Sequence, residues 1–250
     1  LERQEMAVYA RHCRLEVSGE ELNLLAVLSE GWISMVYLNF KAYAQNGRWL
    51  SNSSDIFILI DQVLLEPLTK RQREFLILIG MTDEFTAKQA SYLWRQDDWR
   101  EILDSLSKNN AFIKRSERGV YRYHHMLRQC VRQKFAEKPE AYRKESYSRL
   151  GSWYFQQQEY VAAYFAFAAS EDWTCLIEVL MRDKAKSLNT EHSKAFFGWL
   201  KDCPEEILLK FPVAITVCMV KMFSFNNIPE IKRMKGLLLR SLEQYTELTL

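Results

Sequence analysis

Between Pro67 and Pro139 the chain carries three helix starts in quick succession and then a hairpin, an order that few folds accept. Thr69-x-x-Gln72, Thr86-x-x-Gln89 and Asp98-x-x-Glu101 each place a short polar acceptor three residues before a longer polar side chain. In that pattern the first side chain takes up a free N–H of the helix's opening turn, and the second reaches back to the cap. Apolar residues follow each start at helical spacing: Phe75, Leu76 and Ile79, then Ala90 and Leu93, then Ile102, Leu103 and Leu106. Asn109-Asn110 stops the third helix. Two strand-like runs, 111–116 and 120–124, flank a turn at Gly119. Three short helices and a hairpin predict a winged helix, and a further helix runs from His125 to Ala136.

Helices are expected on both sides of it. Only 8 Gly and 5 Pro punctuate 250 residues, too few breakers for a strand-rich chain. Residues 1–66 read as three or four helices. Ser18-x-x-Glu21 is a capping box, followed by Leu22, Leu25 and Leu28 on one face. After Gly31, a second helix sets Ile33, Val36, Tyr37 and Phe40 on one stripe, and a third, capped by Ser54 or Asp55, runs from Ile56 to Leu65. Residues 140–250 read as antiparallel helix pairs of tetratricopeptide type. Gly151, Ala162, Ala163, Ala166 and Ala169 form a small-residue stripe against Trp153 and Tyr154. A break is expected at Phe211-Pro212, and Leu237, Leu238 and Leu242 are expected to be exposed on the last helix. The fold class is therefore mainly α. Three domains divide at 66/67 and 139/140.

Composition narrows the chemistry. A 48% hydrophobic, 26% charged chain of net charge +2 is globular, and its overall charge favours no partner. Five scattered cysteines with no C-x-x-C fit reduced cytosolic thiols rather than zinc or disulfides. The longest apolar run, Phe211 to Val220, is too short to cross a bilayer, and no signal peptide is visible. No P-loop, nucleophile elbow or H-E-x-x-H occurs, so no catalytic or metal site is expected. Paired acids such as Asp97-Asp98 and Glu205-Glu206 read as helix-start residues, and the tryptophans as core.

Chemistry concentrates at the hairpin exit, Tyr121-Arg122-Tyr123-His124-His125-Met126-Leu127. An imidazole beside a helix N-terminus suits an anion, because free N–H groups and the positive dipole end converge there. The plainer reading packs one histidine against the wing and leaves the other solvated. From Ser105 to Leu150 there are 12 Lys and Arg against 4 Asp and Glu. That bias fits either a solvated face balanced elsewhere or a phosphate-binding surface. Direct DNA readout by the third helix is disfavoured, since it brings Asp98, Glu101 and Asp104 against Arg100 and Lys108.

Four stretches in order resemble the STAND-class bacterial regulators of the maltose-regulon-activator type, which usually end in a LuxR-type helix-turn-helix. Leu28-Ser29-Glu30-Gly31-Trp32-Ile33 is similar to the T-E-G-W stretch of their helical lid. Pro67-Leu68-Thr69 through Leu76 resembles the start of their winged helix, and Asn109-Asn110-Ala111-Phe112-Ile113 its N-x-F wing. Tyr121 to Leu127 resembles their Y-R-Y-H-H-L-F signature. The likeness covers roughly residues 15–175 and implies an architecture of lid, winged helix and the start of a helical-repeat sensor region. It further implies a cytoplasmic regulatory fragment of an ATP/ADP-switched transcription regulator. Such a fragment holds the inactive nucleotide-bound state and relays a sensor signal to a C-terminal DNA-binding domain. Both ends of the chain read as cuts within helices, so the P-loop and the DNA-binding helix-turn-helix are expected to lie outside it.

By likeness to related switch ATPases, His124 aligns with the histidine that touches the ADP phosphate, and His125 stands at the Asp position of that motif. Ile33 stands where the lid often carries a proline near the adenine. Trp32 and Arg122 complete the implied nucleotide contacts. The parent would bind ATP or ADP, an unknown inducer at the repeats, DNA through its helix-turn-helix and a second copy of itself; the fragment itself would not be an enzyme and would carry no bound cofactor. A second reading is a winged-helix and helical-repeat scaffold that binds protein partners and has no nucleotide role. A third is DNA binding by the wing.

Overall fold

The computed structural model describes residues 3–29, 33–47, 49, 57–58, 60–109 and 113–247. They form two compact units, Leu1–Lys138 and Pro139–Leu250. The boundary expected at 66/67 falls inside the first unit.

The first unit opens with helices α1 (Arg3–His12), α2 (Gly19–Ser29) and α3 (Ile33–Asn46). Ser18 and Glu21 close the expected box: the Glu21 N–H donates to Ser18 Oγ at 3.3 Å, and the Ser18 N–H to Glu21 Oε2 at 2.7 Å. Glu21 also accepts from Trp49 Nε1 at 2.8 Å. These bonds hold its carboxyl below the usual range, the tryptophan bond most of all. Met6, Ala10, Leu22, Leu25, Val36 and Phe40 make the core of this bundle. The α3 stripe is corrected. Ile33 and Tyr37 are exposed, and the buried face carries Met35, Val36, Leu38, Asn39, Phe40 and Ala42. The buried arc is wider than the predicted stripe and is turned from it, because α3 is covered on more than one side. The cap proposed at Ser54 or Asp55 lies outside the described residues. A π-helical turn, Asp61–Leu65, leads into the winged helix.

The winged helix runs α4 (Lys70–Ile79), β1 (Glu84–Thr86), α5 (Ala87–Trp94), α6 (Trp99–Asn109), β2 (Ile113–Arg115), β3 (Val120–Tyr123) and α7 (His125–Ala136). Thr69 and Gln72 form the full capping box, and Thr86 Oγ1 accepts from the Gln89 N–H at 3.2 Å. The Asp98 carboxylate instead accepts from Trp94 Nε1 at 2.8 Å and pairs with Arg71 at 2.6 Å. The hairpin is one edge of a three-stranded antiparallel sheet ordered β1-β3-β2. Glu84–Thr86 is the strand that the sequence did not reveal. Three residues are too few to show alternation, and they earn strand geometry only by pairing with Val120–Arg122. Gly119, at φ +76°, supplies the left-handed residue that closes the hairpin turn.

The second unit comprises α8 (Glu140–Gln156), α9 (Tyr160–Ser170), α10 (Trp173–Asp183), α11 (Ser193–Asp202), α12 (Glu205–Leu208), α13 (Pro212–Ser224) and α14 (Ile228–Glu247). Its core runs from Ala163 to Leu237. Pro212 opens α13 at its first turn, where a missing N–H costs nothing, so the expected break is present. Gly151 lets Phe167 approach so closely that a Cβ there would lie 2.7 Å from the ring. The small-residue stripe is otherwise corrected. Ala163 and Ala166 are buried, Ala169 is exposed, and the buried face is completed by Tyr164, Phe167 and Ser170. On α14, Leu237 is buried and Leu238 half-buried, with only Leu242 of the three exposed. Ser241 fixes this helix by donating to the Leu209 carbonyl at 2.6 Å. Among the tryptophans, Trp199 is buried, while Trp94, Trp99, Trp153 and Trp173 are half-buried. No helix among the described residues is long and apolar enough to cross a membrane.

Candidate functional site at the wing–helix junction

β3 alternates as a half-buried strand should. Tyr121 and Tyr123 point inward, where Phe85 stacks on Tyr121 at 5.3 Å between ring centres and lies 5.6 Å from Tyr123. Burial pushes the Tyr123 hydroxyl pKa up. Arg122 points outward and pairs with Glu84 at 2.6 Å, both side chains at least half exposed. An ion pair in that setting contributes little. Their register partners explain the pair, since Glu84 lies directly opposite Arg122 across the ladder.

The strand ends at Tyr123, and His124 turns the chain into α7. Its backbone is extended, at φ −60° and ψ 138°, and Nδ1 accepts from the Met126 N–H at 3.2 Å. His124 thus performs the task that Ser, Thr, Asp or Asn usually performs at an N-cap. It is 1% exposed. The backbone of Ser29, in α2, favours the charged imidazole. The His125 ring lies 4.5 Å away at 35°. The His124 pKa is lowered to about 4, first by burial, then by His125 and Lys114, while the Ser29 backbone works against the shift. The neutral imidazole is therefore the resident form at neutral pH.

The other candidates sit apart. Ile33 opens α3 and is 51% exposed. Arg122 is on the outer face of the sheet. Trp32 lies outside the described residues. The sequence does not reveal that the backbone of Ser29 acts on His124, although Ser29 belongs to the lid stretch already singled out; nothing in a linear pattern joins residues so far apart.

The basic bias is answered by acids from outside its window. Arg128 and Arg132 both pair with Asp83, at 2.8 and 2.9 Å, and Lys134 pairs with Asp61 at 2.8 Å. Arg132 also donates to the Gly80 carbonyl at 3.4 Å. Arg115 lies over the Tyr121 ring at 5.7 Å. Much of the cationic face of α7 therefore fastens that helix to the π-helical turn and to the segment before β1. Among the described residues, no group of three His, Cys, Asp or Glu is placed to hold a metal ion.

Residues 60–143 match the family model of the MalT winged helix domain. This part of the chain is similar to a MalT-type winged helix. The match takes in three of the four resembling stretches, Pro67–Leu76, Asn109–Ile113 and Tyr121–Leu127. The lid stretch, Leu28–Ile33, precedes it. No curated protein gives a significant match to the chain.

Proposed function

We propose that the chain is a regulatory part of a MalT-like bacterial transcription regulator that switches between ATP and ADP. Its first unit holds the inactive nucleotide-bound state, and its second, helical-repeat unit relays an inducer or partner signal toward a DNA-binding helix-turn-helix elsewhere in the parent. The MalT winged-helix match, with the Y-R-Y-H-H signature placed at a helix N-cap, carries this reading. A supporting feature is the exposure of Leu24 and Val27 on α2 and of Ile33 and Tyr37 on the adjoining α3. Apolar groups of that kind suit a lid that closes on another module. The sequence has no P-loop, the described residues hold no group of three His, Cys, Asp or Glu placed for a metal ion, and the chain is proposed not to hydrolyse ATP.

In this reading His124 donates to a phosphate oxygen. Losing a hydrogen bond to a charged group costs about 1.5–3 kcal/mol. In the full-length parent, His124→Ala should weaken ADP binding about ten- to a hundredfold and raise basal activation. Equilibrium titration with ADP decides it, and unchanged affinity would remove His124 from the nucleotide site. The burial of His124 and its engagement with Met126 favour the second reading, a protein-binding scaffold without nucleotide, and the same titration separates the two.

A further inference from the structure

α13 has the composition of a buried helix and the position of a surface one. Between Pro212 and Ser224 it holds one charged residue, Lys221, and a helix that is apolar all round belongs inside a protein. Ala214, Ile215, Cys218 and Met222 do face the core. Another edge is open: Val213 is 65% exposed, Val220 69% and Phe223 74%, with Thr216 exposed between them. These four positions stand three, four and three residues apart, the spacing of a coiled-coil seam. The hydroxyl and ammonium groups of the helix are already engaged. Thr216 Oγ1 donates to the Pro212 carbonyl at 3.0 Å and Ser224 Oγ to the Lys221 carbonyl at 2.7 Å. The Lys221 ammonium donates to the Leu188 carbonyl and lies over the Phe225 ring, 5.1 Å from its centre. The edge can therefore be dried without stranding a donor or a charge. The neighbouring α14 is the contrast, for it exposes Lys232, Arg233, Lys235 and Arg240.

We propose that this edge of α13 is an interface between two copies of the chain, related by a two-fold axis, in which the stripe Val213, Thr216, Val220 and Phe223 of one copy packs on the same stripe of the other. A second copy fits the edge from the sequence itself. It brings the same seam spacing, no charge to repel and no unsatisfied donor to bury, and a two-fold contact uses one patch twice. The three apolar side chains expose on the order of 300–400 Å², given about 200 Å² for an aromatic side chain and somewhat less for a β-branched one. A standard stable interface buries about 800 Å² on each partner, so this dimer is weak and reversible, with a dissociation constant on the order of 10–100 μM. The interface stands on the second unit alone and does not rest on the nucleotide reading.

Sedimentation of the 250-residue chain from about 5 to about 500 μM, a range that brackets such a constant, tests it. Monomer at the low end and dimer at the high end are expected. Val220→Glu sets an unpaired charge in the seam and should weaken association about a hundredfold or more. Glu is a good helix former and the position is exposed, so α13 keeps its fold. A monomer at every concentration would overturn the proposal and leave the edge to a different partner. A dimer that Val220→Glu does not weaken would overturn it as well. Should the variant fail to fold, hydrogen exchange of the wild-type chain decides. Residues 213–224 should gain protection as concentration rises, and protection gained only elsewhere, such as at the exposed Leu24 and Val27 of α2, would overturn the α13 interface.

Discussion

Gly80 has no conformational demand that would exclude a side chain, its φ being −61°. Its constraint is contact. A Cβ there would stand 2.3 Å from Val131 Cγ2 on α7, a distance real Cβ atoms do not show. Gly80→Ala must therefore push α7 off the end of α4, with an expected loss of about 1–3 kcal/mol, checked by urea unfolding. His124 sets a second residue-scale expectation. Its folded pKa of about 4 lies below its ordinary value of 6.5, so the unfolded chain takes up a proton in that interval and the folded chain does not. Its contribution to stability is intact above about pH 6.5 and is lost as pH falls toward 4. The loss should reach about 2–3 kcal/mol, at 1.36 kcal/mol for each pKa unit. In His124→Asn the pH 6.5 to 4.5 limb should flatten, and denaturation midpoints measured across that range test it.

The C-terminal end of α10 depends on a buried acceptor. Asp183 closes α10 from within, at 6% exposure. Its carboxylate accepts from Tyr164 Oη at 3.2 Å, from Ser187 Oγ at 2.7 Å and from the Ser187 N–H at 3.1 Å. Asp183 also helps to raise the Tyr164 hydroxyl pKa, after burial, so the phenol stays a donor. Asp183→Leu would leave a buried phenol and a backbone N–H without their acceptor, each costing about 1–3 kcal/mol. The unit should then lose several degrees of melting temperature, while Asp183→Asn, which retains one acceptor oxygen, loses less. Equal melting temperatures for the two variants would show that the carboxylate does not organise this end.

At the scale of the whole molecule, the second unit has a continuous core of its own, from Tyr164 and Phe167 through Ile215 and Cys218 to Met234 and Leu237. A unit with its own core should fold without its neighbour. Residues 139–250 produced alone are expected to unfold in one cooperative, thermally induced transition, with α14 protected from exchange by its burial against the rest. A broad, non-cooperative melt of that piece by circular dichroism would show that its order depends on residues outside it.

Local chemistry made the helix starts legible in the sequence. Thr69/Gln72, Thr86 and Ser18/Glu21 act on backbone groups only a few residues away, so spacing alone specifies them. The Gly119 turn and the break at Pro212 were legible for the same reason, since each is set by what its own residue type permits. What lay hidden depends on partners distant in the chain. Glu84–Thr86 becomes a strand only against β3, and Ile33 is exposed because the bundle covers other positions of α3. Asp98 serves Arg71 and Trp94. The basic window is answered by Asp61 and Asp83 from before it. The histidine pair was found as a motif, yet its physical state was decided by the fold. A position in sequence does not say how deeply an imidazole will be buried; here the Met126 N–H occupies Nδ1, and burial holds the ring neutral.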